Sequence, residues 1–382
     1  MATQSIAEWF GLRRPNFILD PRADADFYAH RTRVDIPSLV ENLQVDLVTG
    51  LPPKRLFWGF YGGGKTHTLF TISKKLQSLL PIYPVYVECP NVARRSTFVH
   101  LYHDGIMASM GQDFVISLLE ELIEQIGIVK RDQLLAQLKN ELDSEELARA
   151  VASLLGADPG KKLSLWRFIS GVDVPRQDLA GLEQTEDLTE AEPAKLAEVI
   201  IVLGKVLKRV RQQTLVLILD ELDRLQYVGD ETGSTFQNAL RKLTDPNQKD
   251  VSILMASSAG NLDELPEVFG DTYGPVLSRI GQAGLIEIPP IDPADVRTFI
   301  KEIVQFVRDP EYDVHARISE LHPSLSESLD PGFFPFTVEC IESLEETIRQ
   351  FMTPREITQR MTQAAGRAFL MQRPVISRDV VR

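Results

Sequence analysis

With 382 residues, 43% hydrophobic and 25% charged, the chain has the composition of a globular protein large enough to fold as two or three units. Its net charge of −13 argues against a generic nucleic-acid coat without excluding a local basic face. No apolar run approaches the ~20 residues of a membrane span, Met1 to Arg14 lack the apolar core of an export signal, and Cys89 and Cys340, far apart and outside any CxxC, support neither zinc nor disulfide, so a cytoplasmic protein without membrane contact is expected.

In chain order, residues 1–34 read as an N-terminal extension and Arg55-Leu56-Phe57-Trp58 as a short buried strand. Gly59-Phe60-Tyr61-Gly62-Gly63-Gly64-Lys65-Thr66 then fits G-x-x-x-x-G-K-[ST], the phosphate-binding P-loop. In such a loop the glycines, here Gly59, Gly62, Gly63 and Gly64, let backbone N–H groups wrap around phosphates. Lys65 reaches the β- and γ-phosphates, and the Thr66 hydroxyl ligates Mg²⁺. His67 is counted with this nucleotide-binding segment; it has no ligand-spaced partner and otherwise reads as a packing residue. The pattern occurs by chance in about one chain of this length in a hundred, so context decides. Residues Thr68 to Leu76 continue with helical spacing, and a helix N-terminus adds its dipole to an anion site.

Pro84-Val85-Tyr86-Val87-Glu88 reads as a second strand. Arg94 and Arg95 follow it, candidates for contact with DNA phosphates, with a solvated loop or a subunit salt bridge as the plainer reading. More than a hundred residues then separate Val85 from Leu215, too many for one crossover helix. Phe114 to Ile126 has the spacing of one amphipathic helix and Gln133 to Leu155 of another. Residues 128–200 are therefore taken as a helical and acidic insertion. Its densest part, Asp178 to Glu198, holds seven carboxylates against the single Lys195 and reads as a solvated surface. Lys205, Lys208, Arg209 and Arg211 alternate with Val202, Leu203, Val206 and Leu207 as the charged face of a helix.

Thr214-Leu215-Val216-Leu217-Ile218-Leu219-Asp220-Glu221 is an apolar run of the kind buried on both faces of a parallel sheet. Asp220 at its end would hold the Mg²⁺ hydration shell with Thr66, and Glu221 would polarise the attacking water. Val251 to Ala256 forms another strand, ending in Ser257-Ser258 where ligands of open α/β sheets bind. Gly284 to Pro290 supplies a fifth. The expected fold class is α/β: a P-loop NTPase three-layer αβα core (residues 35–290) with a parallel sheet of at least five strands, followed by a small α-helical lid (residues 291–382). Asn247-Gln248-Lys249-Asp250 has the wrong order for a guanine signature, which favours ATP over GTP. A kinesin-like reading of Asp178 to Glu183 fails because no buried strand precedes it.

On these residues the chain resembles AAA+ ATPases of the branch that holds archaeal and eukaryotic replication initiators and transposition regulators. The resemblance covers roughly residues 35 to 382 apart from the insertion. It implies that Asp220-Glu221 is the Walker B pair, that Ser257 or Ser258 is sensor 1, and that Arg279 in Leu277-Ser278-Arg279-Ile280 is an arginine finger reaching a neighbouring subunit. It implies also that Arg355 in Thr353-Pro354-Arg355-Glu356-Ile357 touches the γ-phosphate in cis, and that Pro374 to Val381 completes the lid as a short helix. Leu165 to Gly171, the polar stretch after it and the acidic strand also resemble ATP-binding proteins of bacterial phage-exclusion (BREX-type) loci. The implied activity is Mg²⁺-dependent ATP hydrolysis controlling a self-assembled ring or filament that acts on DNA or on a protein effector, in mobile-element or phage-defence biology. Initiators carry a winged helix after the lid, whereas this chain ends at Arg382, so any DNA contact is expected from the core or a partner. The alternative is an ATP-switched protein-interaction regulator that never touches DNA.

Overall fold

The structure, a computed structural model, describes residues 5–28, 34–90, 97–128, 130–184, 186, 188, 191–227, 230–265, 269, 274–347 and 353–381. Five strands form one sheet: β1 (Lys54–Gly59), β2 (Ile82–Glu88), β3 (Thr214–Asp220), β4 (Val251–Ser258) and β5 (Leu285–Glu287), in the order β2-β3-β4-β1-β5. The registered pairs β1–β5, β2–β3 and β3–β4 are all parallel. All but the first residue of β3 and all but the last of β4 are buried. Both faces of the central strands are thus covered, which is what their apolar runs require. The α/β class with a five-stranded parallel sheet and a helical C-terminal part is as expected.

Contacts divide the chain into two compact units. One comprises Leu39–Trp58 and Lys75–Glu287 and holds the sheet. Its core joins Leu215, Leu217 and Ile253 of the sheet with Leu138, Val151 and Leu165, so the segment expected as an insertion contributes to the sheet's own core. The helix expected from Gln133 to Leu155 is instead two, Arg131–Leu142 and Glu145–Ala152. Asp143 between them is left-handed (φ 53°), and the Ser144 side chain caps the second by accepting from Leu147 N. The acidic stretch departs from a solvated surface as well: Leu179, Leu182, Leu188 and Leu196 are buried, and its last part begins the helix Pro193–Arg211. The basic row on that helix is engaged. Lys205 pairs with Asp143 (2.6 Å), Arg209 with Glu141 (2.9 Å) and Arg211 with both oxygens of Glu121.

The other unit comprises Met1–Ser38, Gly59–Lys74 and Ile288–Arg382. Phe10 and Phe17, from the segment expected as an extension, are buried with Ile300, Ile303, Phe336 and Met361 of the C-terminal helices. Trp9 Nε1 donates to Arg373 O (2.8 Å) and Phe27 stacks on Phe306. Pro374 to Val381 contains a short 3₁₀ helix at Arg378–Val380, with Val375, Ile376 and Val380 buried. No described helix is long and apolar enough to cross a membrane.

Candidate nucleotide site

The P-loop starts where β1 ends. At Gly59 φ is +150° and a Cβ would lie 2.3 Å from Ile288 O, so only glycine permits this exit. Gly62 is at φ +74°, and a Cβ there would approach Arg355 Cβ to 3.0 Å and Thr353 Oγ1 to 3.2 Å. The loop can take this path only because Gly59 and Gly62 carry no side chain. Helix Lys65–Leu79, 15 residues long, follows directly, so the positive end of its dipole adjoins the loop, and Thr68 N donates to Gly64 O (2.9 Å). Lys65 is buried, and its ammonium donates to Gly59 O and Phe60 O (both 2.9 Å), holding the cation over the loop's own carbonyls. Thr66 is half-buried on the first turn.

The same helix is tied to the N-terminal segment. Thr68 Oγ1 donates to Gly64 O (3.0 Å) and so accepts from Tyr28 OH (3.0 Å). His67 Nε2 lies 2.6 Å from Phe27 O; since a carbonyl only accepts, the proton is on Nε2. Burial pushes the imidazole pKa below its ordinary value, against the raising effects of the Phe27 bond and of Asp24 and Asp20. His67 therefore packs against the N-terminal segment.

The helix Pro354–Leu370 is capped by Thr353, whose Oγ1 accepts from Glu356 N (3.3 Å). Its first turn abuts the loop. Arg355 N donates to Gly62 O at 3.4 Å, and the Arg355 guanidinium stacks 4.7 Å from the centroid of the exposed Tyr61 ring. The structure thus brings Arg355 to the P-loop.

Asp220, 2% exposed, closes β3. Its Oδ1 accepts from Glu221 N (2.8 Å) and its Oδ2 from Tyr86 OH (2.9 Å), while Cys89 N donates to Asp220 O. Glu221 turns the chain at φ +56°, a left-handed conformation that costs a non-glycine residue roughly 1–2 kcal/mol. Its carboxylate is paired with Arg224, which also donates to Cys89 O (2.7 Å). Leu219 pairs with Met255, so by alternation Ser258 shares the face of Asp220 and Ser257 the face of Met255. Ser258 N donates to Asp223 Oδ1 (2.9 Å). Ser257 is fully buried, and its Oγ has no hydrogen-bond partner among the described residues.

No family model matches the chain, and no curated protein matches it. Among solved structures it is similar to Orc1 of Aeropyrum pernix in complex with DNA, at 17% identity over 93% of this chain and 64% of that one, with a TM-score of 0.47. It is similar to Cdc6p of Pyrobaculum aerophilum at 11% identity over 94% and 68%, TM-score 0.47, and to the ADP form of Aeropyrum pernix ORC2 at 13% identity over 98% and 72%, TM-score 0.49. The chain spans 64% of the length of Orc1.

Arg279 lies on a single turn of helix, Leu277–Ile280. Its guanidinium donates to Arg241 O (2.5 Å) and pairs loosely with Asp245 (3.8 Å). Lys54 binds the same corner, donating to Asp245 O (2.5 Å) and Gln248 O (3.2 Å). Arg94 and Arg95 lie outside the described residues. Tyr86, Arg224 and Asp223, which hold Asp220, Glu221 and Ser258, escaped the sequence reading. The one available signal was Tyr86 two residues before the end of β2, the position that alternation puts on the face of the strand's last residue, Glu88.

Proposed function

We propose that the protein is an AAA+-type ATPase that binds and hydrolyses ATP to control its own assembly on DNA or on a DNA-processing complex, of the mobile-element or phage-defence kind. The observation that carries this reading is a pairing of strand ends. The P-loop leaves the carboxyl end of β1, and Asp220-Glu221 stands at the carboxyl end of β3 in the same parallel sheet. Ligands of open α/β sheets bind at that edge.

The residues fit the groups such a reaction needs. The cradle around Gly59 and Gly62, which a Cβ would fill, suits a phosphate approached by backbone N–H groups. One hydroxyl at Thr66 and one carboxylate at Asp220 suit Mg²⁺, a hard cation that keeps several waters and takes few protein oxygens. When bound, Mg²⁺ neutralises charge on the phosphoryl oxygens. Lys65 would leave the carbonyls of Gly59 and Phe60 for phosphate oxygens. Arg355, already against Gly62, would leave the Tyr61 ring to add positive charge. Glu221 would release Arg224 and accept a proton from water, the role that ion pair suppresses. Ser258, on the face of Asp220, is the better sensor 1 candidate. Arg279 would act in trans, exchanging Arg241 O for a neighbouring subunit's nucleotide.

One experiment tests the scheme. Glu221→Gln alone should bind ATP and form assemblies without turnover, and Arg279→Ala alone should be inactive. Mixed, the two should regain turnover, because an intact Glu221 then meets an intact Arg279. Full turnover by Glu221→Gln alone would remove the catalytic assignment; silence of the mixture would remove the trans role.

A second reading, a protein-directed regulator that never touches DNA, is favoured by one observation. The row Lys205, Arg209 and Arg211 is spent on Asp143, Glu141 and Glu121 of the same chain.

A further inference from the structure

We infer that Tyr86 is a positioning residue for the metal-holding carboxylate: its hydroxyl fixes the Asp220 side chain and thereby sets the affinity of the site for a divalent cation. The inference rests on the ATPase reading above, in which Asp220 holds the Mg²⁺ hydration shell.

Tyr86 lies on β2 opposite Ile218, and Glu88 opposite Asp220. Parallel pairing and alternation put Tyr86, Glu88, Ile218 and Asp220 on one face. The Tyr86 hydroxyl stands 2.9 Å from Asp220 Oδ2 and 3.4 Å from Glu88 Oε1. A hydroxyl has one proton to give, and the shorter contact assigns it to Asp220. The other oxygen of Asp220 is held by Glu221 N. An aspartate's terminal torsion is broad and roughly two-fold. The Tyr86 hydroxyl and Glu221 N hold the carboxylate at its two oxygens, and loss of the phenol releases the Oδ2 side of that clamp.

The choice of donor matters too. A lysine or arginine at this position would also clamp the carboxylate, but would neutralise it and repel a divalent cation. A phenol, uncharged at neutral pH, orients the carboxylate and leaves its charge. Hydrogen-bond partners that orient the groups around a metal change its affinity by about 10–100-fold when lost; Tyr86, acting through a carboxylate that holds the metal's waters, belongs at the lower end.

Tyr86→Phe removes one oxygen and keeps the half-buried ring. The test uses the full chain loaded with ADP, with Mn²⁺ as probe, its binding read from the free-ion electron paramagnetic resonance signal. Tyr86→Phe should weaken Mn²⁺ about tenfold. A fluorescent ATP analogue in EDTA should bind within twofold of the parent, and turnover should recover at high Mg²⁺. Mn²⁺ affinity within twofold of the parent would overturn the inference. A matching loss of metal-free nucleotide binding would overturn it as well, since Tyr86 would then support the fold rather than the metal. Tyr86→Leu, with the ring removed, should lose Mn²⁺ affinity at least as far as Tyr86→Phe; if it does not, the phenol is not the clamp. Asp220→Asn separates this inference from the reading beneath it. If that variant keeps parental Mn²⁺ affinity and turnover, the ATPase assignment falls and takes the role of Tyr86 with it.

Discussion

His67 follows the lysine and threonine of the P-loop, and its imidazole lies 2.6 Å from Phe27 O. Burial holds its pKa below the ordinary value, so in the fold it is neutral where the unfolded chain, titrating near 6.5, starts to take up a proton. Between those two pKa values the unfolded state binds more protons, and stability falls as pH drops below about 6.5. His67→Gln keeps a donor for Phe27 O and cannot titrate. Thermal melts between pH 7.5 and 5 should therefore show a shallower loss of stability for the variant than for the parent. Equal slopes would mean that His67 takes up its proton alike in the folded and unfolded states, and that the acid sensitivity lies elsewhere. At this scale the places of the glycine loop after β1 and of Asp220-Glu221 at the end of β3 were readable because each is local in sequence. The clamp on Asp220 was not, because Tyr86 stands 134 positions away and meets it only through β2–β3 register.

Elements were legible to the degree that a single segment determines them. β3 holds a continuous apolar run and β4 one interrupted by Ser252, and both emerged as buried central strands. The fifth strand is only Leu285–Glu287 within the expected Gly284 to Pro290: prolines at 289 and 290 lack the N–H a ladder needs. The break between Leu142 and Glu145 hinges on Asp143, whose left-handed turn no apolar periodicity reveals, although Ser144 ahead of Glu145 is a capping signal. The same cause operates at Gln212, which ends the Pro193–Arg211 helix at φ 55°. Glycine is preferred there. Relief of the left-handed strain, roughly 1–2 kcal/mol, outweighs the roughly 0.4–1 kcal/mol by which glycine loosens the unfolded chain. Gln212→Gly should therefore stabilise the protein by about 0.5–1 kcal/mol, read as a higher denaturant midpoint at unchanged slope. A lower midpoint would show that the exposed glutamine makes a contact worth more than its strain.

Across the whole molecule the charge balance bears on what the proposed assembly grips. A net charge of −13 gives a field that repels DNA at long range, so binding would need a concentrated cationic contact. The densest basic row on a helix does not provide it, since Lys205, Arg209 and Arg211 are paired within the chain and Lys208 donates to Lys249 O. Arg94 and Arg95, which follow β2, are the remaining candidates among those the sequence singled out. Each phosphate neutralised releases counterions and contributes about −0.9 to the slope of log affinity against log salt. With a slowly hydrolysed ATP analogue, the parent should bind duplex DNA with a steep negative slope. Replacing Arg94 and Arg95 together by alanine should make that slope shallower by about 2, whereas Lys205→Ala with Lys208→Ala should leave it unchanged. Binding that ignores salt, or its absence while nucleotide still increases particle size, would sink the DNA reading. The ATP switch would then act through a protein surface, and the acidic field would be compatible with its partner rather than an obstacle to it.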